Sequence, residues 1–136
     1  RIGSTAGLKT LEVMENNETW VHISEKGRHI KENWNKLAVK HNIDLSISGL
    51  DSLCSFSIKS KNSQKYKTFI TQEMLSKGFL ASDSIYVSMA HSASIIEEYF
   101  DILDPIFKVI AECENGRDIN TLLNGPVSHS GFKRLN

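Results

Sequence analysis

The chain has 136 residues, of which 40% are hydrophobic and 24% are charged, as is typical of a folded globular domain. Its 16 basic and 16 acidic residues cancel, so no strong net field favours a nucleic acid or an anionic membrane surface. No apolar run approaches the roughly 20 residues of a membrane-spanning helix, and no signal peptide opens the chain. We therefore expect a cytoplasmic protein that binds neither membrane nor nucleic acid.

Two helices are predicted in the first third of the chain. The spacing of Leu8, Leu11 and either Val13 or Met14 predicts a helix over residues 4–15, and the Asn-rich residues 16–18 end it. The strongest periodicity of the sequence follows, with Thr19 as the predicted N-cap. Its apolar positions obey the i, i+3, i+4, i+7 rule, and they are Trp20, Ile23, Gly27, Ile30, Trp34, Leu37 and Ala38. The charged opposite face is an ordinary solvated surface.

Three runs alternate between apolar and polar residues, the period of a strand with one buried face. The first two are joined by a turn over residues 49–52, which predicts an antiparallel pair. The third run covers residues 84–89. The predicted inward side chains are Ile43, Leu45 and Ile47, then Cys54, Phe56 and Ile58, then Ile85, Val87 and Met89. We predict an α+β fold with a small antiparallel or mixed three-stranded sheet and long helices packed on one of its faces.

Further helices flank the third strand. A stripe from Tyr66 to Met74 predicts one helix, which ends at Gly78 because glycine readily adopts the left-handed conformation. A long last helix should begin near residue 95, with Ser92 or Ser94 as its cap and Ser94 and Glu97 as a capping box. We expect a kink or a break in this helix at Pro105, because proline removes a backbone donor. One more short helix is predicted over residues 118–123.

The segment 74–91 carries the letters GFLA and then YVSMAH, followed by a helix. It resembles the C-terminal small domain of class III aminotransferases, in particular the glutamate-1-semialdehyde aminomutase branch of these pyridoxal-phosphate (PLP) enzymes. The opening RIGSTAGLKTLEVM is similar to the segment that leads from the large cofactor domain into the small one. The resemblance covers residues 1–114 and implies a small domain over 1–125, followed by a tail over 126–136.

The chain begins at Arg1, and its first methionine, Met14, lies inside a predicted helix. We therefore expect a piece of a longer enzyme. The resemblance implies a PLP-dependent aminotransferase or aminomutase that acts on a small amino acid semialdehyde or on a keto or amino sugar precursor. In that family the lysine and the acidic residue that hold the cofactor lie in the large domain. It follows that this piece alone should contain no catalytic residue, bind no PLP and be inactive.

The resemblance also implies two partners, namely the protein's own large cofactor-binding domain and a second copy in a homodimer formed mainly by the large domains. In the alternative interpretation, the chain has the small-domain fold but takes no part in catalysis, and it is a binding or interaction module. A start codon or an unrelated domain upstream of Arg1 would favour the module, and a large domain with a PLP lysine would favour the enzyme.

Three residues are the predicted wall of the substrate pocket in the full-length enzyme: Ser82, Asp83 and Tyr86. In the aminomutase branch the matching loop carries an acidic residue near the active site. Asp83 matches it loosely, because the loop here (ASDSI) is shorter. A polar turn without a functional role is the alternative for Ser82 and Asp83.

The other reactive side chains point to structural roles. Cys54 and Cys113 are far apart, with no CxxC spacing, so we predict reduced core thiols and no metal site. His22 and His29 are predicted surface residues. His91 should hydrogen-bond the backbone at the turn after the last strand, because a hydrolase built on a Ser88–His91 pair would lack an acidic partner. His129, Lys133 and Arg134 make the tail basic, as in an ordinary solvated terminus.

Overall fold

The computed structural model describes residues 2–129 and Gly131. Within these residues the chain forms four α-helices and a three-stranded antiparallel sheet, so the predicted α+β class is confirmed. The helices are α1 (Ile2–Asn16), α2 (Thr19–His41), α3 (Ser63–Ser76) and α4 (Ala93–Glu114), and the strands are β1 (Leu45–Leu50), β2 (Leu53–Ile58) and β3 (Ser84–Tyr86). A 3₁₀ helix, Ile119–Leu122, follows α4 where the short last helix was predicted.

The sheet has the strand order β1-β2-β3, and both pairs are antiparallel, so the mixed alternative is wrong. Leu50 lies opposite Leu53 across a two-residue turn, and Leu53 in turn lies opposite Tyr86. The third strand ends at Tyr86 and does not reach Met89 as predicted. The neighbouring strand β2 begins at Leu53, which pairs with Tyr86, so Val87 lies beyond the end of that strand. The Val87 N–H donates instead to the Ser52 carbonyl of the turn at 2.9 Å.

One face of the sheet packs against α2, α3 and α4, as predicted. At its centre the Trp34 ring contacts the Phe56 ring edge-on at 4.8 Å between centroids, and Phe56 contacts Phe107 at 5.9 Å. Trp34 and Phe107 are fully buried. Such edge-to-face pairs stabilise a core beyond the area that they bury. The predicted stripes of α2 and α3 therefore supply much of the core, except that Trp20, the first member of the α2 stripe, is 49% exposed.

The predicted cap of α2 is wrong, whereas Ser92, one of the two caps predicted for α4, is confirmed. Thr19 is the first residue of α2, and the cap position is Glu18, whose φ is 44° and whose side chain makes no capping bond. The cap of α4 is Ser92, whose Oγ accepts a hydrogen bond from the Ile95 N–H at 3.3 Å. Ser94 lies within the first turn and its hydroxyl bonds Ser92 Oγ at 2.9 Å, so it does not form the predicted capping box.

Helix α4 continues through Pro105, so the predicted break is wrong. Proline removes one backbone donor and disturbs the preceding turn. The residues that follow it, Ile106, Phe107 and Ile110, are buried in the core. Burial of large apolar side chains contributes about 1.5–3 kcal/mol for each residue, which offsets the local cost of the proline.

Helix α2 holds the β1–β2 turn through a close approach and a set of charges. A Cβ on Gly27 would lie 1.8 Å from the Asp51 carbonyl oxygen, so only glycine fits there. The Asp51 carboxylate pairs with Lys31 at 3.0 Å and with Arg28 at 3.2 Å. The Lys31 ammonium, helped by Arg28, lowers the pKa of Asp51. Lys31 also donates to the Gly49 carbonyl at 2.8 Å.

The end of α2 is tied to the middle of α4. The Asp104 carboxylate contacts Lys40 Nζ at 2.6 Å and His41 Nε2 at 2.5 Å. Hydrogen bonds from Lys40 and then from His41 lower the pKa of Asp104. This carboxylate therefore stabilises the fold only in its ionised form.

The described part of the tail lies on α3. Gln64 Nε2 donates to the Ser128 carbonyl at 2.8 Å, and the Ser128 N–H donates to Thr68 Oγ1 at 3.0 Å. The boundary between residues 125 and 126 stays a prediction. Lys133 and Arg134 lie outside the described residues.

Cys54 and Cys113 are free and buried, as predicted, and burial raises the pKa of both thiols. Among residues 2–129 and 131, no three His, Cys, Asp or Glu side chains come together in a way that could hold a metal ion. In the same part of the chain, no helix is both long enough and apolar enough to cross a membrane.

Candidate functional site

A cavity of about 310 Å³ lies beside β3, between the segment after α3 and the start of α4. Ligand pockets commonly have roughly 300–1,000 Å³, so the volume suits a small molecule or part of one. The wall is mostly apolar. It is formed by Ile30, Phe79, Leu80, Ala81, Ser84, Ile85, Tyr86, His91, Ile95, Ile96 and Tyr99.

Of the three predicted pocket residues, Tyr86 lines this cavity and Ser82 and Asp83 do not. Tyr86 is the last residue of β3, and 75% of it is exposed. Both the ring and the hydroxyl group of Tyr86 are therefore accessible to a molecule that binds in the cavity.

Ser82 and Asp83 are tied to α3 instead. Thr71 Oγ1 donates to Ser82 Oγ at 3.0 Å, and Ser82 Oγ donates to an Asp83 carboxylate oxygen at 3.2 Å. Lys67 Nζ pairs with the other carboxylate oxygen of Asp83 at 2.9 Å. The Asp83 carbonyl accepts from the Phe56 N–H at 2.9 Å. The structure thus groups Ser82 and Asp83 with α3 and places Tyr86 apart from them.

His91 adds a polar group to the cavity wall. Its Nδ1 accepts a hydrogen bond from the Ser88 N–H at 3.2 Å, so the predicted bond to the backbone at this turn is confirmed. Because Nδ1 accepts, the proton of the neutral ring lies on Nε2. His91 can then donate one hydrogen bond to an oxygen atom of a ligand.

Tyr99 closes the inner side of the cavity. Its hydroxyl accepts a hydrogen bond from Trp34 Nε1 at 3.0 Å. Burial strongly raises the pKa of Tyr99, so its phenol stays neutral at physiological pH. This residue is therefore a structural wall and not a proton acceptor.

Sequence reasoning missed the apolar wall of the cavity. Leu80 is 95% exposed although it is a large apolar residue, and Ile95 is 41% exposed at the start of α4. Leu80 comes two residues after the helix stop Gly78, in a loop where polar residues are usual, so its apolar character was a signal that sequence reasoning could have used. Ile30 and Tyr99 come from distant helices, and no local pattern could bring them to the same cavity.

No protein-family model matches the chain. Among curated proteins, it is 28% identical over 117 residues to the glutamate-1-semialdehyde 2,1-aminomutase of Hyperthermus butylicus, an alignment that covers 76% of this chain and 28% of that protein. Among solved structures, it matches the PLP internal aldimine form of the Sphingopyxis sp. MTA144 FumI protein with a TM-score of 0.69 and 13% identity. That match covers 82% of this chain and 27% of FumI.

The chain is similar in sequence to that aminomutase and in fold to FumI, which supports a class III aminotransferase-like C-terminal domain. The identity to the aminomutase carries the family likeness, and the FumI match, at its low identity, shows the fold alone. The domain spans just over a quarter of the length of either protein.

The cavity of this aminotransferase-like domain does not fit PLP as a resident cofactor. PLP enzymes hold their cofactor through a lysine Schiff base and an acidic partner on the pyridine nitrogen. Among the described residues that line the cavity there is neither a lysine nor a carboxylate. Lys67, which lies near the loop of Ser82 and Asp83, is already paired with Asp83.

Proposed function

We propose that this domain is part of a PLP-dependent aminotransferase or aminomutase that acts on a small amino acid semialdehyde or on a keto or amino sugar precursor. The observation that carries the proposal is the 28% identity to a glutamate-1-semialdehyde 2,1-aminomutase over 117 residues. The full-length protein would bind PLP in a large domain, form a homodimer through that domain and work in the cytoplasm. The 136-residue piece alone would be inactive.

The contribution of this domain would be a wall of the substrate pocket. Tyr86 is well placed for that role, because it is exposed and lines the cavity beside β3. His91 offers one hydrogen-bond donor to an oxygen of the substrate. Ser82 and Asp83 remain weaker candidates, since their side chains already bond Thr71 and Lys67.

The test of the activity uses the full-length natural protein, expressed from its own start codon and supplied with PLP. It should move the amino group from an isotope-labelled amine donor to a small carbonyl acceptor, as followed by mass spectrometry. The 136-residue chain under the same conditions should transfer none. A folded full-length protein that transfers nothing to any acceptor would contradict the proposal and would favour the non-catalytic module.

The pocket wall is tested by Tyr86→Ala in the full-length protein. We expect KM to rise about tenfold with little change in kcat, because a lost binding contact of ~1.4 kcal/mol corresponds to a factor of ten. Val39→Ala is the matched control, since Val39 is equally exposed on α2, away from the cavity. An unchanged KM in Tyr86→Ala would remove Tyr86 from the pocket, and Asp83→Asn is the parallel test for the loop.

A further inference from the structure

The segment that follows the 3₁₀ helix lies along a row of polar side chains on α3. Gln64, Thr68 and Gln72 follow one another at intervals of four residues, so they lie on the same face of that helix. We call the segment held by this row, residues 122–128, the strap. It connects the 3₁₀ helix to the tail.

The strap is anchored at both of its ends. At its start, the Gln72 side chain donates to the Leu122 carbonyl at 3.0 Å and accepts from the Asn124 N–H at 2.7 Å. At its end, Ser128 bonds the first two residues of the row. Because both anchors involve backbone groups of the strap, they hold together only while the backbone between them keeps its length.

Between the two anchors the strap contains the dipeptide Asn124-Gly125. In such a pair the backbone nitrogen of the glycine can attack the side-chain carbonyl carbon of the asparagine, because glycine has no Cβ that would hinder the approach and is free in its backbone conformation. Both residues are exposed. Within the part of the chain that the structure describes, neither the Asn124 side-chain amide nor the Gly125 N–H makes a hydrogen bond. The two reacting groups are therefore free to meet.

A second Asn-Gly pair in the same chain is held in place by hydrogen bonds. Asn115 and Gly116 end α4. Asn115 Nδ2 donates to the Ala111 carbonyl at 2.8 Å, and the Gly116 N–H donates to the Cys113 carbonyl at 3.2 Å. The same reaction at this pair requires both bonds to break, which should slow it by about tenfold. The structure thus distinguishes two pairs that are equivalent in sequence.

We propose that Asn124 is a site of spontaneous deamidation that releases the strap from α3. The Gly125 nitrogen forms a bond to Asn124 Cγ, the bond from Cγ to Nδ2 breaks, and ammonia leaves with the proton that the Gly125 nitrogen gives up. Water then opens the resulting cyclic imide at either of its two carbonyl carbons, which yields aspartate or isoaspartate. The reaction consumes only water, so the proposal does not depend on the proposed function.

The release follows from the isoaspartate product. In isoaspartate the chain runs through Cβ and Cγ of the former side chain, so the backbone of the strap becomes longer by one atom. The added atom lies between the anchor at Gln72 and the anchor at Ser128. Both sets of hydrogen bonds can no longer keep their register on the rigid row of α3, and the Ser128 end should detach.

The experiment follows both Asn-Gly pairs while the 136-residue chain is incubated in a mildly alkaline buffer. Mass spectrometry of protease fragments measures the conversion of each asparagine, and an isoaspartyl methyltransferase measures isoaspartate. Asn115 is the internal control. Gly125→Ala is the matched variant, because a Cβ there would meet no atom within 4 Å and yet hinders the attack of the backbone nitrogen. The chain unfolded in urea gives the rates without the fold.

We expect Asn124 to convert about tenfold faster than Asn115 in the folded chain, and Gly125→Ala to slow Asn124 by a similar factor. In urea the two asparagines should convert at comparable rates, because the hydrogen bonds that protect Asn115 are lost. Equal rates in the folded chain, or a faster reaction at Asn115, would overturn the assignment of the site. An unchanged rate in Gly125→Ala would overturn it as well.

Hydrogen exchange tests the release of the strap. In the isoaspartate-containing chain the Ser128 N–H should exchange faster than in the fresh chain, whereas the N–H groups in the middle of α4 should be unchanged. Asn124→Asp carries the added charge without the longer backbone, so its Ser128 N–H should exchange as slowly as in the fresh chain. Slow exchange of Ser128 in the isoaspartate-containing chain, or fast exchange in Asn124→Asp, would contradict release by a lengthened backbone.

Discussion

The contact between Gly27 and the β1–β2 turn gives the sharpest prediction about the fold. Gly27 lies in the middle of α2, where alanine would normally be the better residue for a helix. A methyl group at this position would come within 1.8 Å of the Asp51 carbonyl oxygen and 2.5 Å of its carbonyl carbon. Both atoms belong to the backbone, so no side chain can rotate away to make room.

The magnitude follows from two opposing effects. Added methyl groups in a well-packed site cost about 1–3 kcal/mol, and we expect the upper end here because α2 and the turn must move apart. That movement also lengthens the bond from Lys31 to the Gly49 carbonyl and the ion pairs to Asp51. The higher helix propensity of alanine returns about 1 kcal/mol. The free energy of unfolding of Gly27→Ala should therefore fall by about 2 kcal/mol.

The assay is urea unfolding of the 136-residue chain, followed by circular dichroism. Gly7→Ala is the matched control, because Gly7 lies within α1 and a Cβ there would meet no atom within 4 Å. That variant should gain about 0.5–1 kcal/mol or stay unchanged. If Gly27→Ala were as stable as Gly7→Ala, the close approach of α2 to the turn would be refuted.

Three further predictions concern the core, a charge cluster and a thiol. Trp34→Ala should lower the free energy of unfolding by about 3–5 kcal/mol in urea titration, because it leaves a cavity at the centre of the core; a loss below about 1 kcal/mol would mean that the helix faces are misplaced. Asp104→Asn should destabilise the chain at about pH 7, and the difference from wild type should shrink as the pH falls below the unfolded value of 3.8, because the stabilisation from a lowered carboxylate pKa is lost as pH falls through the folded value. Asp44→Asn, which breaks an exposed ion pair, should change little at either pH, and a pH-independent effect of Asp104→Asn would contradict the assignment. Cys54 should react with a disulfide reagent only on unfolding, since it is fully buried and its thiol pKa is raised; rapid reaction of the native chain would show that this core position is open.

Local patterns predicted much of this fold. The apolar stripe of α2 and the alternation around Phe56 each report which side of a single element is buried, and that information lies within a short stretch of sequence. Gly78 was predicted to end α3, and it lies just beyond that helix with φ at 87°. The Phe79 N–H bonds the Met74 carbonyl across this turn at 3.0 Å. These features needed no knowledge of the rest of the chain.

Features that depend on what lies opposite in space were missed. The end of β3 at Tyr86 is set by the start of β2, and not by the alternation of the third run, which continues to Met89. The requirement for glycine at position 27 comes from a turn that is remote in sequence. The wall of the cavity joins Ile30 of α2 to Tyr99 of α4, and neither residue differs in pattern from an ordinary core position.

The candidate site was predicted through a family resemblance and not through chemistry visible in the sequence. That is why Ser82, Asp83 and Tyr86 were grouped together. The structure separates them, because a local bond network ties Ser82 and Asp83 to α3. Adjacent residues in a short loop do not need to serve the same surface.

The most direct test of the central claim is the absorbance spectrum of the full-length natural protein, expressed from its own start codon and supplied with PLP. We expect a protein-bound band near the visible edge that shifts when an amine donor is added. The 136-residue chain, treated identically, should show neither the band nor the shift. A folded, soluble full-length protein without the band would contradict the claim that this domain belongs to a PLP enzyme.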